Sequence, residues 1–150
     1  MFVKITSADW EIFKGEAKKV TVPTESGQIT VLPNHQPLVS VVIPGIVKVG
    51  VEDQELKKKF WISEQEEDIL LSVSKWVLYV DGENVYILTS AASVDVKQKL
   101  EVLEKMRQDL EEELRKLKSK GSVEEIEKAL INLQKINADI KLYKLKHGKY

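Results

Sequence analysis

The apolar residues of this 150-residue chain change their period once, near residue 90, and that change restricts the fold more than any other feature. Before it they alternate. Ile29 and Val31 flank Thr30, and Val47, Val49 and Val51 flank Lys48 and Gly50. A period of two belongs to strands with one buried face. Phe2 with Ile5 and Val20 with Val22 add β-favouring runs; Ser26-Gly27, Pro33-Asn34, Pro44-Gly45 and Asp81-Gly82 separate them. Asp-Gly tolerates the positive φ of a tight turn, so Asp81-Gly82 is expected to join strands over 76–80 and 85–89. About ten short strands in residues 1–90 predict a small antiparallel β-sandwich.

After residue 90 the steps become three and four. Val96, Leu100, Leu103, Met106, Leu110, Leu114 and Leu117 form one stripe. Val123, Ile126, Leu130, Leu133, Ile136, Ile140 and Tyr143 form a second. Each is the single apolar face of an amphipathic helix, and all four prolines lie before residue 45. Ser93 is placed to cap the first helix, with Asp95 near its positive end. Gly121 suits a left-handed closing residue, and Ser122 with Glu125 reads as a capping box. So short a link forces an antiparallel hairpin whose arms, at 1.5 Å per residue, are each about 37 Å long. The stripes can bury each other, and a third surface is expected to cover the remainder. The fold class is therefore α+β: an N-terminal antiparallel β-sandwich over 1–90 and a C-terminal α-helical hairpin over 91–150.

Composition narrows the chemistry. Net charge is −1, without the basic excess of a nucleic-acid binder. The charge is uneven: residues 1–90 hold 9 lysines against 13 acids, and residues 91–150 hold 14 basic residues against 11 acids. There is no cysteine, so thiolate nucleophiles and thiolate metal sites are excluded, and two histidines make a His-rich metal site unexpected. The N-terminus lacks the pattern of a signal peptide. The longest apolar run, residues 38–43, is far short of the roughly 20 needed to span a bilayer. A membrane is expected to be reached only through a partner.

Catalytic patterns are absent: no Gly-x-Ser-x-Gly elbow, no P-loop and no Gly-x-Gly-x-x-Gly. The run Glu64, Glu66, Glu67, Asp68 lacks calcium-loop spacing and reads as a solvated loop. Lys57-Lys58-Lys59 reads as an exposed strand start or loop. His35 stands between Pro33 and Pro37 in a stiffened loop, which suits packing or partner contact better than catalysis. The basic end of the chain, residues 141–150, complements a helix dipole or an acidic partner surface.

The run Val20-Thr-Val-Pro-Thr-Glu-Ser-Gly-Gln-Ile-Thr-Val-Leu-Pro-Asn-His-Gln-Pro-Leu38, followed by Pro44-Gly45-Ile46-Val47, resembles the epsilon-subunit (delta/epsilon) family of the bacterial F-type ATP synthases. Lys4-Ile5-Thr6-Ser7, Gly15-Glu16 and the 85–89 strand also fit, and the order of sandwich then hairpin is the family's. The resemblance implies a non-catalytic rotor subunit, on the cytoplasmic side of the cell membrane as part of the complex. It implies a sandwich that binds the gamma subunit and rests on the c-subunit ring, with Leu32, Pro33, His35, Pro37 and Leu38 as ring-side contacts. It implies a hairpin that folds down on the sandwich or extends into the catalytic head. There it meets a beta subunit and blocks ATP hydrolysis, with Arg107, Arg115, Lys116 and Lys118 as contacts. No cofactor is expected. Where some members carry an ATP-binding motif ending in Arg-Ala, this chain has Gln98-Lys99 and loses a bidentate phosphate partner. Lys75-Trp76 likewise replaces glycines common in the family.

Two rival readings remain. A sandwich module with a dimerising coiled-coil tail, serving as an adaptor, predicts a homodimer through residues 94–145; the family reading predicts a monomer in isolation. A hydrolase centred on His35 is the third.

Overall fold

The computed structural model describes residues 1–94 and 100–147. The strands in chain order are β1 (Phe2–Ser7), β2 (Glu11–Glu16), β3 (Lys19–Thr24), β4 (Gly27–Val31), β5 (Leu38–Val42) and β6 (Gly45–Gly50). A short helix α1 (Gln54–Lys59) precedes β7 (Asp68–Val73), β8 (Trp76–Val80), β9 (Asn84–Thr89) and β10 (Ala92–Ser93). Two long helices follow, α2 (Leu100–Lys120) and α3 (Val123–His147).

The strands form one hydrogen-bonded path, β10-β7-β6-β3-β5-β8-β9-β1-β2, with β4 paired to β3. β3 is the corner. Lys19, Val20 and Thr21 pair with β6, whereas only Thr24 pairs with β5, at Val42. One layer holds β10, β7, β6, β3 and β4; the other holds β5, β8, β9, β1 and β2. Alternation fills the space between them with Val3, Ile5, Phe13, Val20, Val22, Val47, Val49, Ile69, Leu71, Leu78 and Ile87, all buried. The sandwich is antiparallel except where β1 lies parallel to β9. The sheet continues through Ser93, past the expected boundary at 90, because Ala92 and Ser93 pair with Val73 and Ser72.

Lys57-Lys58-Lys59 lies in a helix, not in a strand start or a loop. Asp53 caps α1 by accepting a bond from the Glu55 amide at 2.8 Å. Leu56 and Phe60 turn onto the sandwich core, where the Phe60 ring meets Phe13 at 5.4 Å. Lys57 is itself buried and donates from Nζ to the Glu64 carbonyl at 3.0 Å. Six residues give too short a repeat for periodicity to reveal. Ser93 does not cap α2: it ends β10, and its hydroxyl lies 3.2 Å from Lys135 Nζ. The expected cap partner Asp95 and stripe residue Val96 lie outside the described residues. Gly121 is not left-handed either. Its amide bonds the Leu117 carbonyl at 2.6 Å, and a Cβ there would sit 2.8 Å from that same oxygen. Close approach, not positive φ, selects glycine here. Of the expected capping box the serine half forms, with the Glu125 amide donating to Ser122 Oγ at 3.2 Å, while Glu125 Oε1 accepts from the Ser122 hydroxyl at 3.3 Å.

The two helices pack against each other, and among the described residues it is α3 that packs chiefly on the third surface, the outer face of β6 and β7. Hence α3 buries residues off its expected stripe. Ala138 and Leu142 are buried along with the stripe residue Ile140, while Val123 and Leu130 of the stripe are exposed. A helix held between two surfaces needs more than one apolar face.

The turn after β8 forms as expected. Gly82 has φ 102°, and Asp81 Oδ1 accepts from the Asn84 amide at 2.6 Å and the Glu83 amide at 2.9 Å. These bonds, the Asn84 amide first, hold the Asp81 carboxyl below its ordinary value of 3.8. A carboxylate depressed in the folded state contributes stability above its unfolded pKa and loses it as pH falls through the folded one. A carbon-detected NMR titration should place the Asp81 midpoint below that of the free amino acid. Asp81→Asn should remove this share of the acid sensitivity. Gly82→Ala, which forces a side chain into positive φ, should lower stability by about 1–2 kcal/mol in urea denaturation.

Candidate partner-binding surfaces

The loop from Leu32 to Leu38 is held by its own backbone. Asn34 adopts φ 66°, which asparagine tolerates better than most residues, and the His35 amide bonds the Leu32 carbonyl at 3.1 Å. His35 Nδ1 lies 2.7 Å from the Gln36 carbonyl. A carbonyl only accepts, so this nitrogen carries the proton. Leu32, Pro33 and Pro37 face solvent while His35 and Leu38 are half-buried. The five sequence-predicted residues therefore form one contiguous, partly apolar loop.

The four basic residues expected on the hairpin do not form one cluster. Arg107 is half-buried and borders a groove with Asn137, Ile140, Lys141 and Lys144 of α3. Arg115, Lys116 and Lys118 are exposed in the last two turns of α2.

A further surface lies on the outer face of β5, β8, β9 and β1. Register places Val39 beside Tyr79, Tyr79 beside Tyr86, and Tyr86 beside Lys4. The next rung runs Val41, Val77, Leu88, Thr6. The Tyr79 and Tyr86 rings stack at 6.1 Å, and Phe2 meets Tyr86 edge-on at 6.5 Å. Val39 is 66% exposed, Val41 46% and Tyr79 47%. Adjacent strands thus carry apolar side chains on both faces while only one face meets the core. Contiguous exposed apolar area of this kind marks a contact surface. The signal was present in the sequence: residues 38–43 are apolar at nearly every position, the pattern of a strand covered on both sides. Trp61, beyond α1, is a separate exposed aromatic at 80% with φ 55°.

Charge around the sandwich is arranged in partly exposed pairs, Lys18 with Glu67 at 3.4 Å and Lys19 with Asp68 at 3.9 Å. Glu64, Glu66 and Glu67 are solvent-exposed, as expected of a solvated loop, but Asp68, the fourth residue of that run, begins β7 and is half-buried. Among the described residues, no three His, Asp or Glu side chains converge as metal ligands would. Among the same residues, no helix is long and apolar enough to cross a membrane.

These features define a β-sandwich with a docked helical hairpin, offering apolar and loop surfaces to other macromolecules. Residues 1–94 match the family model described as the ATP synthase delta/epsilon chain, beta-sandwich domain. An ATP synthase epsilon chain of Bordetella avium is 35% identical over 137 residues, covering 89% of this chain and 86% of that one. One of Neisseria meningitidis serogroup C is 28% identical over 130 residues, covering 87% and 85%. Among solved structures, a chain of the Euglena gracilis mitochondrial ATP synthase shares the fold. The TM-score is 0.64 at 22% identity, covering 99% of this chain and 80% of that chain. The chain belongs to the ATP synthase delta/epsilon family.

Proposed function

We propose that this chain is a non-catalytic central-stalk subunit of an ion-translocating F-type ATP synthase. In this reading it couples rotation to ion flow and restrains ATP hydrolysis through its hairpin. Family membership supports the assignment. The observation that carries the mechanical role is the open apolar face of β5, β8 and β9, which the chain itself leaves uncovered. In this reading that face grips the gamma shaft. The loop carrying Leu32, Pro33, His35, Pro37 and Leu38 meets the c-subunit ring, and the complex sits on the cytoplasmic side of the membrane.

The hairpin is the regulator in this proposal. When docked, its stripes are shared between the partner helix and the sheet. When extended, Arg107, Arg115, Lys116 and Lys118 are available to a beta subunit. No nucleotide site is proposed at the start of the hairpin; Asp95, Gln98 and Lys99 lie outside the described residues. The adaptor reading requires a free helical face for dimerisation. The packing of α2 on α3, and of α3 on the sheet, favours a monomer instead.

Three measurements test these roles. Val39→Asp combined with Val41→Asp should weaken gamma binding by about tenfold or more, with Tm shifted little because both side chains are exposed. Unchanged affinity would remove the sheet face from the shaft interface. A chain ending at Val94, reconstituted with gamma and the catalytic head, should still assemble but no longer restrain ATP hydrolysis. Sedimentation of the isolated chain should give a monomer.

A further inference from the structure

The contact between α3 and the sheet has an unusual centre. Along β6 and β7 the core takes Val47, Val49, Ile69, Leu71 and Val73, so Ile46 and Ser72 point to the other face, where α3 lies. Both are buried there, Ser72 completely. Ser72 Oγ donates to Asp139 Oδ1 at 2.5 Å, and Lys135 Nζ donates to the same oxygen at 2.7 Å. Lys135 Nζ also lies 3.2 Å from Ser93 Oγ on β10. Near the end of the helix, Lys146 Nζ donates to the Val94 carbonyl.

Lys135 and Asp139 are one turn apart on α3 and are 14% and 13% exposed. Among the described residues theirs is the ion pair with both partners largely removed from water; each of the others has at least one side chain 36% exposed or more. The network therefore joins α3, β7 and β10, two strands of the sandwich and the helix that covers them.

We propose that Ser72, Lys135, Asp139 and Ser93 form a releasable latch that sets how firmly the hairpin docks on the sandwich. The physical basis is the near cancellation inside a buried ion pair. Docking takes both charges out of water; in return the attraction within this intrahelical pair strengthens and Ser72 and Ser93 add hydrogen bonds, so the intact network adds little net affinity. It does enforce one register, because any other leaves the buried Ser72 hydroxyl without its acceptor and takes from the ion pair, which travels with α3, its hydrogen bonds to Ser72 and Ser93. Undocking rehydrates both charges and recovers their solvation. An apolar seam of the same size would hold more tightly and release less readily. This inference deepens the reading of the hairpin as a regulator and rests on it for its biological use, but docking itself is measurable in the isolated chain.

The chain has no cysteine, so Glu83→Cys and Ser119→Cys on the otherwise intact protein give one spin label on the sandwich and one near the hairpin tip. The parent should show a dominant docked distance. Asp139→Ala, which strands Lys135, should shift the docked-to-released ratio toward release by about tenfold or more, with helicity by circular dichroism retained. The triple variant Ser72→Ala, Lys135→Met, Asp139→Leu replaces the network by apolar groups and should dock more tightly than the parent. It carries the test alone if Asp139→Ala costs the helices their fold. A parent-like distance distribution for a folded Asp139→Ala, or release by the triple variant, overturns the latch. Measuring ATP hydrolysis of the reconstituted complex separates the two claims. Distances that move while hydrolysis does not would leave the latch standing and remove the regulatory reading. Distances that do not move remove the latch whatever hydrolysis does.

Discussion

The docked arrangement of sandwich and hairpin rests on the burial of β6 and β7 from both sides. Their inward residues, Val47, Val49, Ile69, Leu71 and Val73, complete the core, while Ile46 and Ser72 look outward and are buried as well. Among the described residues, α3 is the main cover of that outer face. The two architectures of the chain, β and α, are thereby joined at one surface rather than strung together. Because the surface includes a polar centre at Ser72, the join is specific in register without being purely hydrophobic.

The opposite layer differs. On β5, β8, β9 and β1 the inner face holds Val42, Leu78, Val80, Val85, Ile87, Val3 and Ile5, and the outer face is left to solvent with Val39, Val41, Tyr79 and Leu88 uncovered. One outer face of the sandwich is occupied by the chain's own helix and the other is open. This asymmetry suits the proposed role, in which the open face holds a partner and the docked helix can be released. α1 fills a different need. Leu56 and Phe60 join the sandwich core beside Phe13, and Leu56 comes so close to Gly15 that a Cβ there would sit 2.8 Å from its Cδ1.

Much of this was legible from residue order. Alternation located β4 and β6, the Asp81-Gly82 pair located the turn between β8 and β9, and steps of three and four located α2 and α3. The loop from Leu32 to Leu38 could be singled out because two prolines bracket His35. The open sheet face is visible as the doubly apolar run 38–43, although its length by itself says only that it is too short to cross a membrane. α1 escaped because six residues carry no measurable period. A serine before a helix reads locally as a cap, but at Ser93 pairing with Ser72 and the bond from Lys135 override that preference. Ala138 and Leu142 fell off the stripe because a stripe assumes one buried face.

The sequence alone determined most of the strands and, apart from α1, the helices, where most of the turns fall and that the two long helices must return on each other. These follow from local rules: side-chain period, φ preference and capping chemistry act within a few residues. Only the tertiary structure decided that β1 runs parallel to β9, that α3 rather than α2 covers the sheet, and that Ser72, Ser93, Lys135 and Asp139 meet. Such choices depend on which surfaces exclude water from each other across 40 to 80 residues of chain, roughly, and local preference carries no record of that distance.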